Sequence, residues 1–205
     1  MSQIQENLVA PRQAAEATAL VRGPKSAASS VSEFTMKDGT KVSLRPIRPD
    51  DELLVAEFHK ALSDRTVYMR YFCSVSLRSR VEHERLARIC NVDGRHEMAL
   101  VAEHEDKSTG SHQVLGIGRL IKLNTQSEAE VAILVADPYQ KQGLGTELLR
   151  CVIGIAHQHR LRRVRGELLR DNFAMKAILR KCGFRVGLRF DSPSITAVLE
   201  IGSRL

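Results

Sequence analysis

Residues 140–146 read Gln140-Lys141-Gln142-Gly143-Leu144-Gly145-Thr146. An apolar run precedes them and an amphipathic run follows. Two glycines one residue apart thus stand where a strand passes into a helix. Glycine lets the main chain approach a ligand closely, and the first amides of a helix have no internal acceptor. The chemistry open to such a turn is the holding of an anion, a phosphate above all. Lys141 would add charge and Thr146 a hydroxyl. A plain turn is the competing reading, because GxG alone is common. The spacing disfavours a nucleotide triphosphate or a dinucleotide, since neither GxxxxGK followed by Ser or Thr nor GxGxxG is present.

Other reactive side chains offer less. Cys73, Cys90, Cys151 and Cys182 lie far apart with no CxxC pair, which argues against zinc and for a reduced, cytoplasmic chain. His157 and His159, two apart on an expected helix, face different directions. The net charge is +7 at pH 7, and the charges of the first 40 residues cancel. The excess therefore belongs to the remainder, which should attract anions. With no sustained Lys/Arg tract, no Trp and only three Tyr, base stacking on nucleic acid has thin support. There is no secretory signal pattern at the start. No run of about 18 apolar residues appears, so no membrane span is expected.

The elements that must position the turn can be read along the chain. Residues 1–35 are rich in Ala, Ser, Gln and Glu and are broken by Pro11 and Gly23-Pro24. They read as a mobile arm able to wrap a partner subunit in a homodimer; residues 36–205 are the folded domain. Asp38-Gly39 marks a hairpin turn before the alternating strand 40–47. Helical spacing of Leu53, Leu54, Phe58 and Leu62 predicts a helix over 49–62, and a second follows at 81–90. Strands are expected at 96–104, 112–123 and 127–137. The helix 145–160 carries a broad apolar stripe of Leu148, Leu149, Val152, Ile153 and Ile155. A strand at 161–169 precedes a helix over 171–184, with Asp171 or Asn172 as its cap and Gly183 as its stop. Strands at 185–190 and 194–201 close the chain. The order predicts an α/β (α+β) domain with a mixed sheet covered by helices.

Three ordered motifs give this chain a resemblance to a known family. They are the run Val131–Gln140 ("VAILVADPYQ"), the turn Gln140–Gly145, and the helix "DNFAMKAILRKCGF" from Asp171. In that order they resemble the GNAT N-acetyltransferases over roughly residues 39–201. The stretch from Leu44 to Phe72 is similar to the acetyltransferase domain of bacterial protein-lysine acetyltransferases. The resemblance implies a mostly antiparallel central sheet in which the family's fourth and fifth strands splay apart as an acyl-CoA cleft. It implies acetyl-CoA as cosubstrate and direct acetyl transfer to a primary amine, a protein lysine in the narrower group. The main chain of Ile133, Leu134 and Val135 would pair with the pantetheine. The turn from Gln140 through Lys141, Gln142, Gly143, Leu144 and Gly145 to Thr146 would hold the pyrophosphate. Asn172 matches the family asparagine near the outgoing thiol, although helix capping alone would also account for it.

The amine must shed a proton before it attacks, and a lysine ammonium has a pKa of about 10.4. A carboxylate can take that proton. Strand periodicity puts Glu128 and Glu130 on one face with Ala132 and Leu134. Glu130 is the favoured base by the resemblance, with Glu128 second and a pair of solvated strand glutamates as the alternative. The tyrosine that many relatives place on the later helix is replaced by Leu179, so no general acid is evident for the thiolate. Tyr68 and Tyr71 lean toward the acceptor wall. Arg163 and Arg165 share a face and read as surface residues. A small-molecule amine acceptor and a non-catalytic acetyl-CoA sensor are the two alternative functions.

Overall fold

The computed structural model describes residues 32–123, 127–187 and 193–202. Eight strands form one sheet: β1 Ser32–Thr35, β2 Lys41–Pro46, β3 Glu97–Asp106, β4 Ser111–Lys122, β5 Glu128–Val135, β6 Arg163–Leu169, β7 Arg185–Val186 and β8 Ser194–Glu200. Their spatial order is β1-β2-β3-β4-β5-β6-β8-β7. Every neighbouring pair is antiparallel except β5 and β6, which run parallel. The sheet is therefore mixed and mostly antiparallel, as expected. The last four residues of the expected arm are β1, hydrogen-bonded to β2 through the Asp38-Gly39 turn; residues 1–31 lie outside the described residues. So does 188–190 of the expected strand 185–190, of which β7 is the described part.

The helices are α1 Glu52–Lys60, α2 Asp64–Tyr71, α3 Leu77–Arg80, α4 His83–Cys90, α5 Leu144–Gln158 and α6 Phe173–Lys181. A 3-10 turn, Pro49–Asp51, leads into α1. The first four helices cover one face of the sheet. There Val55, Phe58, Leu62, Val67, Leu86 and Ile89 pack on Val101, Ile117 and Leu134. Helices α5 and α6 cover the other face, where Leu144, Leu148, Leu149, Val152 and Leu179 meet Ala129, Val131 and Ile133. Alternation along β5 thus feeds two cores. Leu53, counted in the apolar stripe of α1, is 80% exposed. Its place in the core is taken by Val55 and His59. Helices α2 and α3 were not expected.

Close packing of α5 on the sheet depends on Gly116. A Cβ there would stand 2.9 Å from Leu148 Cδ1 and 3.1 Å from the Leu134 carbonyl oxygen. The helix that begins at the glycine turn is thereby seated directly on β4 and β5. The β3–β4 register shifts between Ala102 and Glu103 and leaves Leu115 of β4 as an extra residue, so that Leu115 and Gly116 both face the α5 side.

Candidate active site

Strands β5 and β6 pair only from Glu128↔Arg163 to Glu130↔Arg165. Beyond Glu130 they part, although β5 continues to Val135 and β6 to Leu169. The gap is a cleft of about 610 Å³. Its floor is Glu130 to Val135, its far side Gly166 to Leu168, and its ends are Gly145 of α5 and Asn172 at the start of α6. The wall comes from Arg65, Thr66, Met69 and Arg70 of α2.

The free edge of β5 is a row of unpaired main-chain groups. The Glu128 carbonyl accepts from Leu123 on the β4 side, and Ala136 N–H donates to Leu115 of β4. The Ser127 carbonyl accepts from Arg162 on the β6 side. Main-chain direction alternates along a strand, so Val131, Ile133 and Val135 address the gap while Leu134 addresses β4. The Val135 carbonyl is already taken by Gln140 Nε2 at 3.1 Å. Of the expected trio Ile133, Leu134 and Val135, Ile133 has both groups open to an extended ligand and Val135 its N–H. Leu134 has neither, and Val131 adds only its carbonyl, because the Glu130↔Arg165 pairing uses its N–H.

The glycine turn opens at the end of this edge. Lys141 and Gly143 both adopt positive φ, 61° and 95°, which reverses the chain within three residues. Glycine takes such a conformation without steric cost. The N–H groups of Gln142, Gly143, Leu144 and Gly145 meet no acceptor among the described residues. They form the donor cluster that a helix start offers an anion. Thr146 differs from expectation: its N–H donates to the Gly143 carbonyl at 3.0 Å and its side chain is buried. Leu144 contributes its amide alone, because its side chain lies in the core. The turn is braced from behind by Lys37, whose N–H donates to the Gln142 carbonyl at 3.2 Å.

Gln140 turns away from the amide cluster. Its Nε2 donates to Val135 O and to Thr66 Oγ1, both at 3.1 Å. Asp137 completes the link: its carboxylate accepts from Ser63 N–H at 2.9 Å, Ser63 Oγ at 2.6 Å and Thr66 Oγ1 at 2.8 Å. Ser63 is the N-cap of α2. The wall helix is thus fastened to the loop that carries the glycine turn.

A model of the acetyltransferase (GNAT) domain matches residues 41–185. The chain belongs to the GNAT acetyltransferase family. It is 30% identical to an acetyltransferase of Pseudomonas aeruginosa over 81% of this chain and 86% of that one. Its fold is similar to the crystal structure of the GNAT domain of S. lividans PAT, with a TM-score of 0.72, 23% identity, and coverage of 83% and 97%. It is also similar to Mycobacterium smegmatis RimJ in complex with CoA-disulfide, with a TM-score of 0.61, 17% identity, and coverage of 83% and 86%. The parted β5 and β6 match the splay expected of the family, and membership supports acetyltransferase activity. No described helix of this GNAT chain is long and apolar enough to cross a membrane.

Within the GNAT cleft the two candidate glutamates have different surroundings. Glu128 is ion-paired to Arg163 Nη1 at 2.8 Å and to Arg165, so two guanidinium groups hold it in place. Glu130 is half-buried in the cleft at the last paired position. Burial raises its pKa above the usual glutamate value; Arg70 opposes that rise and Glu167 adds to it. Arg163 also holds Glu200 at 2.9 Å, in keeping with a surface role for the Arg163 and Arg165 pair.

Asn172 accepts from Met175 N–H at 3.0 Å through Oδ1, the geometry of a helix cap. Its amide nitrogen has no acceptor among the described residues, and the residue lines the cleft. Leu179 is buried and packs near Gly166. Burial lifts the Cys182 thiol above its ordinary pKa. Neither supplies an acid or a ready thiolate. Tyr68 is exposed and Tyr71 lies under the guanidinium groups of Arg70 and Arg85, at 5.0 and 4.8 Å. The cleft wall is built instead by Arg65, Thr66, Met69 and Arg70, residues with no apolar period to announce them.

Proposed function

We propose that this GNAT protein transfers an acetyl group from acetyl-CoA directly to a primary amine, with a protein lysine as acceptor. The observation that carries the reading is the position of Glu130. It stands where the strands part, beside an open β5 edge, and its carboxyl has a raised pKa. A carboxylate of increased basicity is suited to take a proton from an incoming ammonium. The neutral nitrogen then bonds to the acetyl carbon and gives up its second proton to solvent, the carbon–sulfur bond breaks, and CoA leaves as a thiolate that solvent protonates. The amides of Gln142 to Gly145 and the charge of Lys141 would hold the diphosphate. The Val131 carbonyl and both main-chain groups of Ile133 would align the pantetheine as an added strand.

Glu130→Gln tests the base. It should leave acetyl-CoA affinity within about threefold and lower kcat by roughly 10²–10⁴-fold. In the wild type, log kcat/KM for the amine should rise with a slope of one below the Glu130 pKa and level off above it, because the carboxylate itself takes the ammonium proton and no second proton need be lost to solvent beforehand. The variant should show a slope of one throughout. An unchanged break in Glu130→Gln would overturn the assignment.

A small cationic amine is the second reading. It is favoured by the carboxylates of Glu130, Asp137, Glu167 and Asp171 around the cleft. Mass spectrometry of a lysate incubated with labelled acetyl-CoA and the protein separates the two. Label on particular lysines supports the first, and label confined to metabolites supports the second.

A further inference from the structure

Behind the cleft floor lies a second, smaller chamber of about 20 Å³, room for one water-sized particle. Five elements line it. His59 comes from α1, Arg70 and Tyr71 from α2, Ile89 from α4, Ile117 and Arg119 from β4, and Ala132 and Leu134 from β5. His59 is 1% exposed, and its Nδ1 has no hydrogen-bond partner. Nε of Arg119 is also buried without a partner. Two orphaned polar atoms on residues that share one small chamber call for an occupant, because a buried unsatisfied group costs about 1–3 kcal/mol.

We propose that this chamber is a binding site for a single monovalent anion of halide size. The lining side chains present guanidinium N–H groups, an imidazole and a phenol, and no carboxylate. With the proton of neutral His59 on Nδ1, every polar side chain of the lining can donate to an acceptor-only particle, whereas the two hydrogens of a water would find only the Tyr71 oxygen. The surrounding charge points the same way. Arg70, Arg80, Arg85 and Arg119 all act on His59. Arg80 is paired with Asp64, Arg119 with Glu97, and Arg70 faces Glu130. Arg85 has no carboxylate partner among the described residues, and its buried Nε is unpaired. One positive charge is left over, which one monovalent anion offsets. His59 adds no charge of its own: burial, reinforced by the four guanidinium groups, pushes its pKa down to about 3.

Arg70 lines both the chamber and the acceptor cleft. An anion beside it offsets part of the charge that holds the Glu130 carboxyl down, so occupancy raises the Glu130 pKa. This last consequence rests on Glu130 being the base; anion binding itself does not.

The test uses the full chain. Thermal unfolding is followed in sodium chloride, in sodium bromide and in sodium gluconate at matched ionic strength, gluconate being too large to enter. A halide at about five times its Kd should raise Tm by about 2–4 °C, saturably, over gluconate. Crystals grown in bromide should show an anomalous peak in the chamber. Arg119→Met should abolish both effects. Water density in the chamber, bromide peaks confined to the surface, or equal Tm in all three salts would overturn the proposal. These readouts do not involve acetyl transfer, so a failure of the Glu130 assignment leaves them unchanged.

Discussion

Removing the Asp137 carboxylate should uncouple the acceptor wall from the glycine turn. Asp137 accepts three hydrogen bonds, two from Ser63 and one from Thr66. A bond to a charged acceptor contributes about 1.5–3 kcal/mol when buried, and about 1 kcal/mol is the fitting figure for each here, because the site is partly open to solvent. Asp137→Ala should therefore destabilise the protein by about 3 kcal/mol, read as a lower urea midpoint at unchanged m. Asp137→Asn keeps one acceptor oxygen and should lose roughly half as much. Arg65, Thr66, Met69 and Arg70 all ride on α2, and a displacement of about 1 Å in a positioning element costs on the order of 10²-fold in rate. At saturating acetyl-CoA, kcat/KM for the amine should fall by about that factor. Acetyl-CoA affinity should change by less than about threefold, because the donor amides of Gln142 to Gly145 are braced by Lys37 from the opposite side. The pH dependence has a fixed sign. Burial alone would lift the Asp137 pKa, but the bonds from Ser63 and Thr66 outweigh it and set it below the ordinary value. Its stabilisation is thus fully present above pH about 4 and is lost as pH falls through the folded pKa. A variant with wild-type midpoint and wild-type amine kinetics would refute the fastening role. A loss of acetyl-CoA affinity as large as the loss in amine kcat/KM would refute the division between wall and turn.

Four further outcomes can be checked by denaturation. Gly116→Ala should cost about 1–3 kcal/mol, because its Cβ would meet the Leu134 carbonyl oxygen, which cannot swing aside. Gly154→Ala, in the middle of α5 with nothing within 4 Å of the added carbon, should stabilise by about 0.5–1 kcal/mol. Arg45 is buried between Asp51 at 2.7 Å and Glu103 at 2.8 Å, so Asp51→Ala should cost about 3–5 kcal/mol. The double change R45M/D51A should cost less than the sum of the two single changes, as a double-mutant cycle would show.

What could be read in the sequence and what could not differ by the range of the interactions involved. The strand–turn–helix at 128–158 was legible because each part carries a local signal: alternation along β5, two glycines, and an apolar stripe at helical spacing. The same holds for α6, capped by Asn172 and stopped by Gly183. Helix α2 carries no such signal. Its sequence, DRTVYMRY, buries only Val67, so no apolar period marks it. It exists because Ser63 caps it and Asp137, 74 residues away, anchors that cap. Asp137 itself closes the expected strand 127–137 before Pro138, and nothing in its neighbourhood indicates that its donors belong to a distant helix. The choice between Glu128 and Glu130 turns on the same point. Alternation puts both on one face of β5, but their chemistry is set by β6 and α2. Arg163 and Arg165 claim the first glutamate while the strands are still paired. The second lies where pairing stops and the cleft opens, faced by Arg70 from the unannounced helix. Periodicity assigns a residue to a face; only the tertiary partners decide whether a carboxylate there is neutralised or left basic.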